Sequence, residues 1–173
     1  MASYYYLISS LPDLKTDGDM PLTYDEFLGM CQTSVSEKKY NILENLTLHS
    51  EDGPILKEWS AFYGNLTKEL NYQRSMKLGQ SYSAPEDKDF AITQVAQAAL
   101  AAKNPLEAEK ILLECEFENL DSLVGLHAFD DNYLFGYAIK LKLLERQNCF
   151  VHEKGQKEFK RLFDQVQQRV YSL

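Results

Sequence analysis

The stretch Asp130–Arg146, DDNYLFGYAIKLKLLER, indicates the fold class. It opens on aspartates, which cap helix N-termini well. Apolar residues then recur three or four residues apart, the spacing of one helix face, and they are Leu134, Tyr137, Leu141 and Leu144. A second apolar set lies away from this seam and consists of Phe135, Ile139 and Leu143. Because a helix that is apolar on more than one face is buried on several sides, we predict that it forms the centre of an all-α bundle.

The sequence after this stretch predicts a basic amphipathic helix over about 153–171. Its apolar stripe comprises Phe159, Leu162, Phe163, Val166 and Val170, and its other faces carry Lys154, Lys157, Lys160, Arg161 and Arg169. Residues 132–173 hold 8 basic and 4 acidic side chains, whereas residues 1–131 hold 10 basic and 22 acidic ones. The basic residues of this helix therefore form either a solvated face that pairs with the acidic remainder or a docking surface for an acidic partner.

Five earlier helices are predicted from residues that start and stop helices. Trp59, the single Trp, falls on the apolar stripe of the third, and we expect it to be buried there. The predicted helices cover about 24–32 after the capping box Thr23–Glu26, a segment from Ser36, about 55–78 after Gly53-Pro54, a segment ending near Lys103, and about 105–118 after the cap Asn104.

The organisation that follows is a bundle of about seven helices in a chain of 173 residues, a length that suits one domain. The turn-rich segment 79–87 is the predicted linker between a helical half over 1–78 and a helical half over 88–173, which together form one compact domain. The aromatic run from Tyr4 to Ser9 is predicted as an extended arm or a strand. No alternation of strands and helices suggests an α/β sheet.

Composition excludes several classes of protein. Hydrophobic residues make up 45% of the chain, too many for a disordered protein, and no window approaches the roughly 20 apolar residues of a membrane span. The formal net charge is −8, whereas a nucleic-acid binder has a basic footprint. We therefore expect no nucleic-acid partner and no direct membrane insertion. Three scattered cysteines and a start without basic residues indicate the reducing cytoplasm.

No motif predicts catalysis, and we expect no enzyme, no cofactor and no metal centre. The segment from Asp13 to Gly18 resembles the start of an EF-hand, but Lys15 occupies a ligand position and Tyr24 stands where that loop needs Glu. No base stands beside Cys149 to activate it, so we expect that thiol to be packed. The acidic residues Glu114, Glu116, Glu118 and Asp121 are predicted to form a solvated helix end.

Two parts of the chain resemble a known family. Tyr4–Leu14 with Leu22–Phe27, and Tyr133–Arg146, are similar to segments of an uncharacterised family of bacterial proteins encoded among V-type ATPase genes. The shared helix has the pattern Tyr-x-x-Lys-Leu-x-x-x-Glu-Arg, matched here by Tyr137, Lys140, Glu145 and Arg146. That helix in turn resembles helices of the V-type ATPase C/d family, the all-helical socket between the central stalk and the membrane ring.

The resemblance implies a non-catalytic subunit or accessory protein of a rotary, ion-translocating ATPase. It would act as a stalk, socket or assembly component through helical protein–protein contacts, with other ATPase subunits on the stalk or ring side as partners. Its place would be cytoplasmic, peripheral at the inner face of the membrane. The chain is too short for all three repeats of a full C/d socket. The alternative is a helical-repeat adaptor unrelated to the ATPase. Asn104–Glu118 resembles a tetratricopeptide helix in composition, but no second copy occurs at a fixed period.

Overall fold

A computed structural model of the protein describes residues 4–18, 20–85, 89–149 and 152–171. Within these ranges the chain forms eight helices and no strand, which confirms the all-α prediction and adds one helix to the seven expected. The helices are α1 (Tyr5–Ser10), α2 (Tyr24–Cys31), α3 (Glu37–Glu44), α4 (Leu56–Lys77), α5 (Phe90–Ala101), α6 (Pro105–Val124), α7 (Asp131–Asn148) and α8 (His152–Tyr171). None of the described helices combines the length and the apolar character needed to cross a membrane.

The first helix corrects the prediction of an extended arm or strand over Tyr4–Ser9. The aromatic run forms α1, in which Leu7 and Ile8 are buried. The backbone N–H of Tyr4 donates to the carbonyl of Phe129 at 2.9 Å, and the Tyr4 hydroxyl donates to Asp131 at 2.8 Å. These contacts with residues more than a hundred positions away outweigh the β propensity of a tyrosine run, which depends strongly on tertiary context.

Local start signals define three other helices as predicted. The Thr23 side chain accepts from the backbone of Glu26, and the Glu26 carboxylate accepts from the backbone of Thr23, so the capping box at α2 is complete. Asn104 caps α6 through the backbone of Glu107, with Pro105 at the first helical position. Asp130 caps α7 by accepting from the backbone of Tyr133. Each cap satisfies an N–H that has no partner inside its helix.

The principal core surrounds α7, as its two apolar faces predicted. Every residue of α7 from Leu134 to Ile139 is buried, and so are Leu141, Leu143 and Leu144. Phe27 of α2 and Trp59 of α4 are fully buried in the same core, which confirms the placement of the Trp. A smaller core joins α4, α5 and α6, and its buried members are Leu66, Leu70, Ile92, Ala96, Ala99 and Leu112.

The backbone of α7 lies close to its neighbours at Gly136. A Cβ added there would lie 2.5 Å from Cγ2 of Val124 and 3.5 Å from Cδ1 of Ile55. Ile55 itself has a φ of 55°, in the left-handed region that β-branched residues rarely adopt. Val124 at the end of α6 and Ile55 before α4 therefore both lie against Gly136, where the absence of a side chain leaves room for them.

Residues 155–169 of the last helix, α8, lie outside this packing. Every residue from 155 to 169 is exposed. In contrast, α2, α4, α6 and α7 each bury side chains in the principal core. We call residues 4–149 the body, and we treat α8 as an element that the body leaves uncovered over that stretch.

Candidate functional site

The most distinctive surface of the chain is the apolar face of α8. It consists of Phe159, Leu162, Phe163 and Val166, whose exposed fractions are 71%, 52%, 52% and 60%. The spacing of these residues places them on one side of the helix, and the rings of Phe159 and Phe163 stack with centroids 6.3 Å apart. Water therefore reaches a contiguous stripe of large apolar side chains that an unpartnered protein surface seldom carries.

The predicted docking residues lie on the same helix. Lys157, Lys160, Arg161 and Arg169 are all exposed, and the side chain of Lys154 lies outside the described residues. The Arg161 guanidinium donates to Glu158 at 2.8 Å within the helix. From 155 to 169 the helix carries four basic side chains and two acidic ones, Glu158 and Asp164. The structure therefore brings these predicted basic residues together around an apolar face.

The exposure of its apolar face bears on the stability of α8. The side chains of residues 155–169 gain no stability from burial within the chain, whereas most helical stability in proteins comes from burying an amphipathic face. Gly155 weakens the helix further, by about 1 kcal/mol relative to Ala. Burial of the apolar face of α8 against a partner would therefore stabilise this helix.

The family-motif residues of α7, unlike the exposed residues of α8, make contacts within the body. The hydroxyl of Tyr137, a buried residue, donates to the carbonyl of Pro12 at 2.8 Å. The Lys140 ammonium donates to Asp121 at 2.5 Å and lies 5.1 Å from the centroid of the Phe117 ring. The carboxylate of Glu145 accepts from Lys142 at 3.3 Å, a partly exposed pair. The first two of these residues tie α7 to the N-terminal loop and to α6.

The fourth motif residue, Arg146, is the centre of a charged cluster between three helices. Its guanidinium donates to both carboxylate oxygens of Glu116, at 2.9 and 2.7 Å. It also donates to Glu109 at 2.7 Å and to the hydroxyl of Tyr63 at 3.3 Å. Burial raises the pKa of the Glu116 carboxyl, against the opposing effect of the Arg146 hydrogen bonds. This cluster corrects the prediction that Glu116 belongs to a solvated helix end.

Two of the three thiols are kept protonated by burial. Burial raises the pKa of Cys31 to about 12 and that of Cys115 to about 11, so both are almost entirely protonated near neutral pH. Cys149 is exposed rather than packed, which corrects the expectation for it, and its thiol donates to the carbonyl of Glu145. Among the residues that the structure describes, no three His, Cys, Asp or Glu side chains are grouped as metal ligands would be.

A second exposed patch was missed by sequence reasoning. Tyr5 and Tyr6 on α1 are 55% and 89% exposed, and Leu126 and Phe129 from the loop before α7 are exposed as well. The centroids of the Tyr5 and Phe129 rings lie 4.8 Å apart. The signal was the tyrosine run, but its exposure depends on α1 packing against a loop that is distant in sequence.

No protein-family model matches this chain, and neither does any curated protein or any solved structure.

Proposed function

We propose that this protein is a non-catalytic subunit or accessory protein of a V-type rotary ATPase, acting through helical protein–protein contacts. The ATPase assignment rests on the resemblance of Tyr4–Leu14, Leu22–Phe27 and Tyr133–Arg146. The observation that carries the interaction role is the exposed apolar face of α8. The proposed place of the protein is the cytoplasmic side of the membrane, peripheral through the complex.

The packing of the body supports this kind of role. Arg146 joins α7 to α6 and α4 by hydrogen bonds, and those to the carboxylates are charge-assisted, which makes them stronger than neutral ones. The principal core unites segments from both halves of the chain. A closely packed body carrying one uncovered helix suits a part that docks and transmits force.

The direct test is co-purification. The full-length chain, tagged at its N-terminus, is isolated from native membranes extracted with mild detergent, at low and at moderate salt. We expect ATPase subunits in the eluate, and their loss with Phe163→Asp. The matched control is Gln168→Asp, which also introduces an Asp, on the opposite face of α8. Absence of ATPase subunits from the wild-type eluate at both salt concentrations would refute the ATPase assignment.

A helical adaptor unrelated to the ATPase is the second candidate. The succession of contacts from α4 to α5, from α5 to α6 and from α6 to α7 favours it, because stacked neighbouring helices are the architecture of helical repeats. Under this function the eluate would contain one defined protein, dependent on Phe163 and independent of the ATPase subunits.

A further inference from the structure

We propose that the partner of α8 is a helix of another protein, with an apolar stripe flanked by acidic residues, and that the two helices pack side by side. This inference rests on the docking role proposed above for α8, and it names the chemistry of the surface that α8 binds.

The spacing of the apolar residues points to a helical partner. Phe159, Phe163 and Val166 are separated by four and three residues, and Val170 continues the sequence after four more. Alternating steps of four and three are the a and d positions of helices that pack along a shared seam. Leu162 widens the seam, so that the four exposed apolar side chains span roughly 100° of the helix at about 100° per residue. That width matches a helix face packed on protein.

The basic residues beside the seam indicate the sign of the charge that the facing residues of the partner carry. Lys160 borders the apolar face on one side and Arg169 on the other, at the positions that meet flanking residues of a facing helix. Glu or Asp at the facing positions would complement them, and opposite charges at such positions set partner choice.

The same charges disfavour a second copy of this chain. Pairing α8 with itself places Lys160 and Arg169 opposite neutral or like-charged side chains, in either helix direction. Each copy would also bring a formal net charge of −8. Pairing of α8 with α8 of a second copy therefore gains no charge complementarity and adds repulsion.

A lipid surface is the less favoured occupant. Helices that lie in the membrane interface have a strongly basic polar face. The polar side of α8 instead includes Glu158, Asp164 and Gln168, and residues 155–169 have a net charge of only +2. Attraction to anionic headgroups would accordingly be weak.

The test uses the full-length chain and two synthetic helical peptides of about three heptads, each labelled with a fluorophore. Both peptides carry Leu along the facing seam; one has Glu at the flanking positions and the other has Lys. By fluorescence anisotropy we expect the Glu peptide to bind at least tenfold more tightly than the Lys peptide, and to lose affinity as salt rises.

Variants of α8 sharpen the test. Phe163→Asp should weaken binding of the Glu peptide at least tenfold, whereas Gln168→Asp, on the opposite face, should change it less than threefold. Lys160→Glu should reduce the ratio between the affinities for the Glu peptide and the Lys peptide. Since residues 155–169 are exposed, these variants leave the packing of the body intact, and unchanged thermal unfolding of the body confirms this.

Three results would overturn the inference. The first is equal affinity for the Glu and Lys peptides, or none for either. The second is binding to vesicles of phosphatidylcholine and phosphatidylserine that depends on Phe163 while the peptides fail to bind. The third is an α8-dependent dimer in sedimentation at micromolar concentration.

If the Glu peptide binds as expected but the eluate from native membranes holds no part of the ATPase, the inference stands and the ATPase assignment fails. If ATPase subunits are recovered in equal amounts with the wild-type chain and with Phe163→Asp, the ATPase assignment stands and the inference about α8 fails.

Discussion

Arg146 on α7 and Glu116 on α6 form a two-point hydrogen-bonded ion pair, with nitrogen–oxygen distances of 2.9 and 2.7 Å. The Glu116 side chain is 2% exposed and that of Arg146 is 25% exposed. A buried carboxylate is tolerated only when it is paired and hydrogen-bonded. This pair therefore fixes how α6 lies against the central helix.

Replacement of Arg146 tests that role. Arg146→Ala leaves the Glu116 carboxyl buried without its partner, and we expect the free energy of unfolding to fall by roughly 3–5 kcal/mol. Urea denaturation followed by circular dichroism measures it. The matched control is Arg161→Ala, which removes an exposed Arg–Glu pair on α8 and should change stability by less than about 0.5 kcal/mol. Equal effects of the two substitutions would contradict the structural role of the cluster.

Trp59 anchors the core between α4 and the loop before it. It is fully buried, and its indole N–H donates to the carbonyl of Leu48 at 3.0 Å. Trp59→Ala should lower the free energy of unfolding by about 3–5 kcal/mol, because it leaves a large cavity. In the wild-type protein, iodide should quench the fluorescence of this single Trp poorly until urea unfolds the chain. Strong quenching of the native protein would show the placement to be wrong.

Gly136 is required by the close approach of α6 to α7. Gly136→Ala places a methyl group 2.5 Å from Cγ2 of Val124, so either the Val124 side chain or the helices must shift. We expect a loss of about 1–3 kcal/mol in the free energy of unfolding, the usual effect of overpacking a core. Gly64→Ala is the control: an added Cβ there meets nothing within 4 Å, and the better helix propensity of Ala should raise stability by up to about 1 kcal/mol. Both are read from urea midpoints; a stabilised Gly136→Ala would refute the account of this contact.

The cysteines should differ sharply in reactivity. At pH 8 a thiol with a pKa near 12 has a thiolate fraction on the order of one in ten thousand, and Cys31 is also buried. Iodoacetamide should therefore modify the exposed Cys149 first and Cys31 only after unfolding. Because the thiolate is the reactive form and burial keeps the Cys31 thiol protonated, Cys31 should stay protected even at pH 9. Peptide mass spectrometry reads both sites, and equal rates in the native state would contradict the burial of Cys31.

Periodicity and caps were sufficient to predict most of the fold. The central position of α7 followed from its two apolar faces, and the starts of α2, α6 and α7 followed from Thr23, Asn104 and Asp130. Helix α1 was missed because the local preference of the tyrosine run is overridden by the burial of Leu7 and Ile8 and by contacts near Asp131.

Long-range relationships were beyond the sequence pattern. Helix α6 extends to Val124 rather than ending near Glu118, because Leu120 and Val124 continue its buried face. Glu116 looked like a solvated residue since its partner Arg146 lies 30 positions away. The apolar stripe of α8 was predicted, but a stripe alone does not say whether the same chain covers it. Only the fold shows that residues 155–169 are left exposed.

In the function proposed for this protein, the apolar face of α8 contacts a protein partner in the cell. Site-specific cross-linking tests it most directly: a photo-reactive phenylalanine analogue replaces Phe163 in one culture and Gln168 in another, and cross-linked products are identified by mass spectrometry. We predict one dominant product at position 163, joined to a helix of a V-type ATPase subunit, and little or none at position 168. Equal cross-linking from both positions, or products at 163 only with lipid or with a second copy of this chain, would contradict the account.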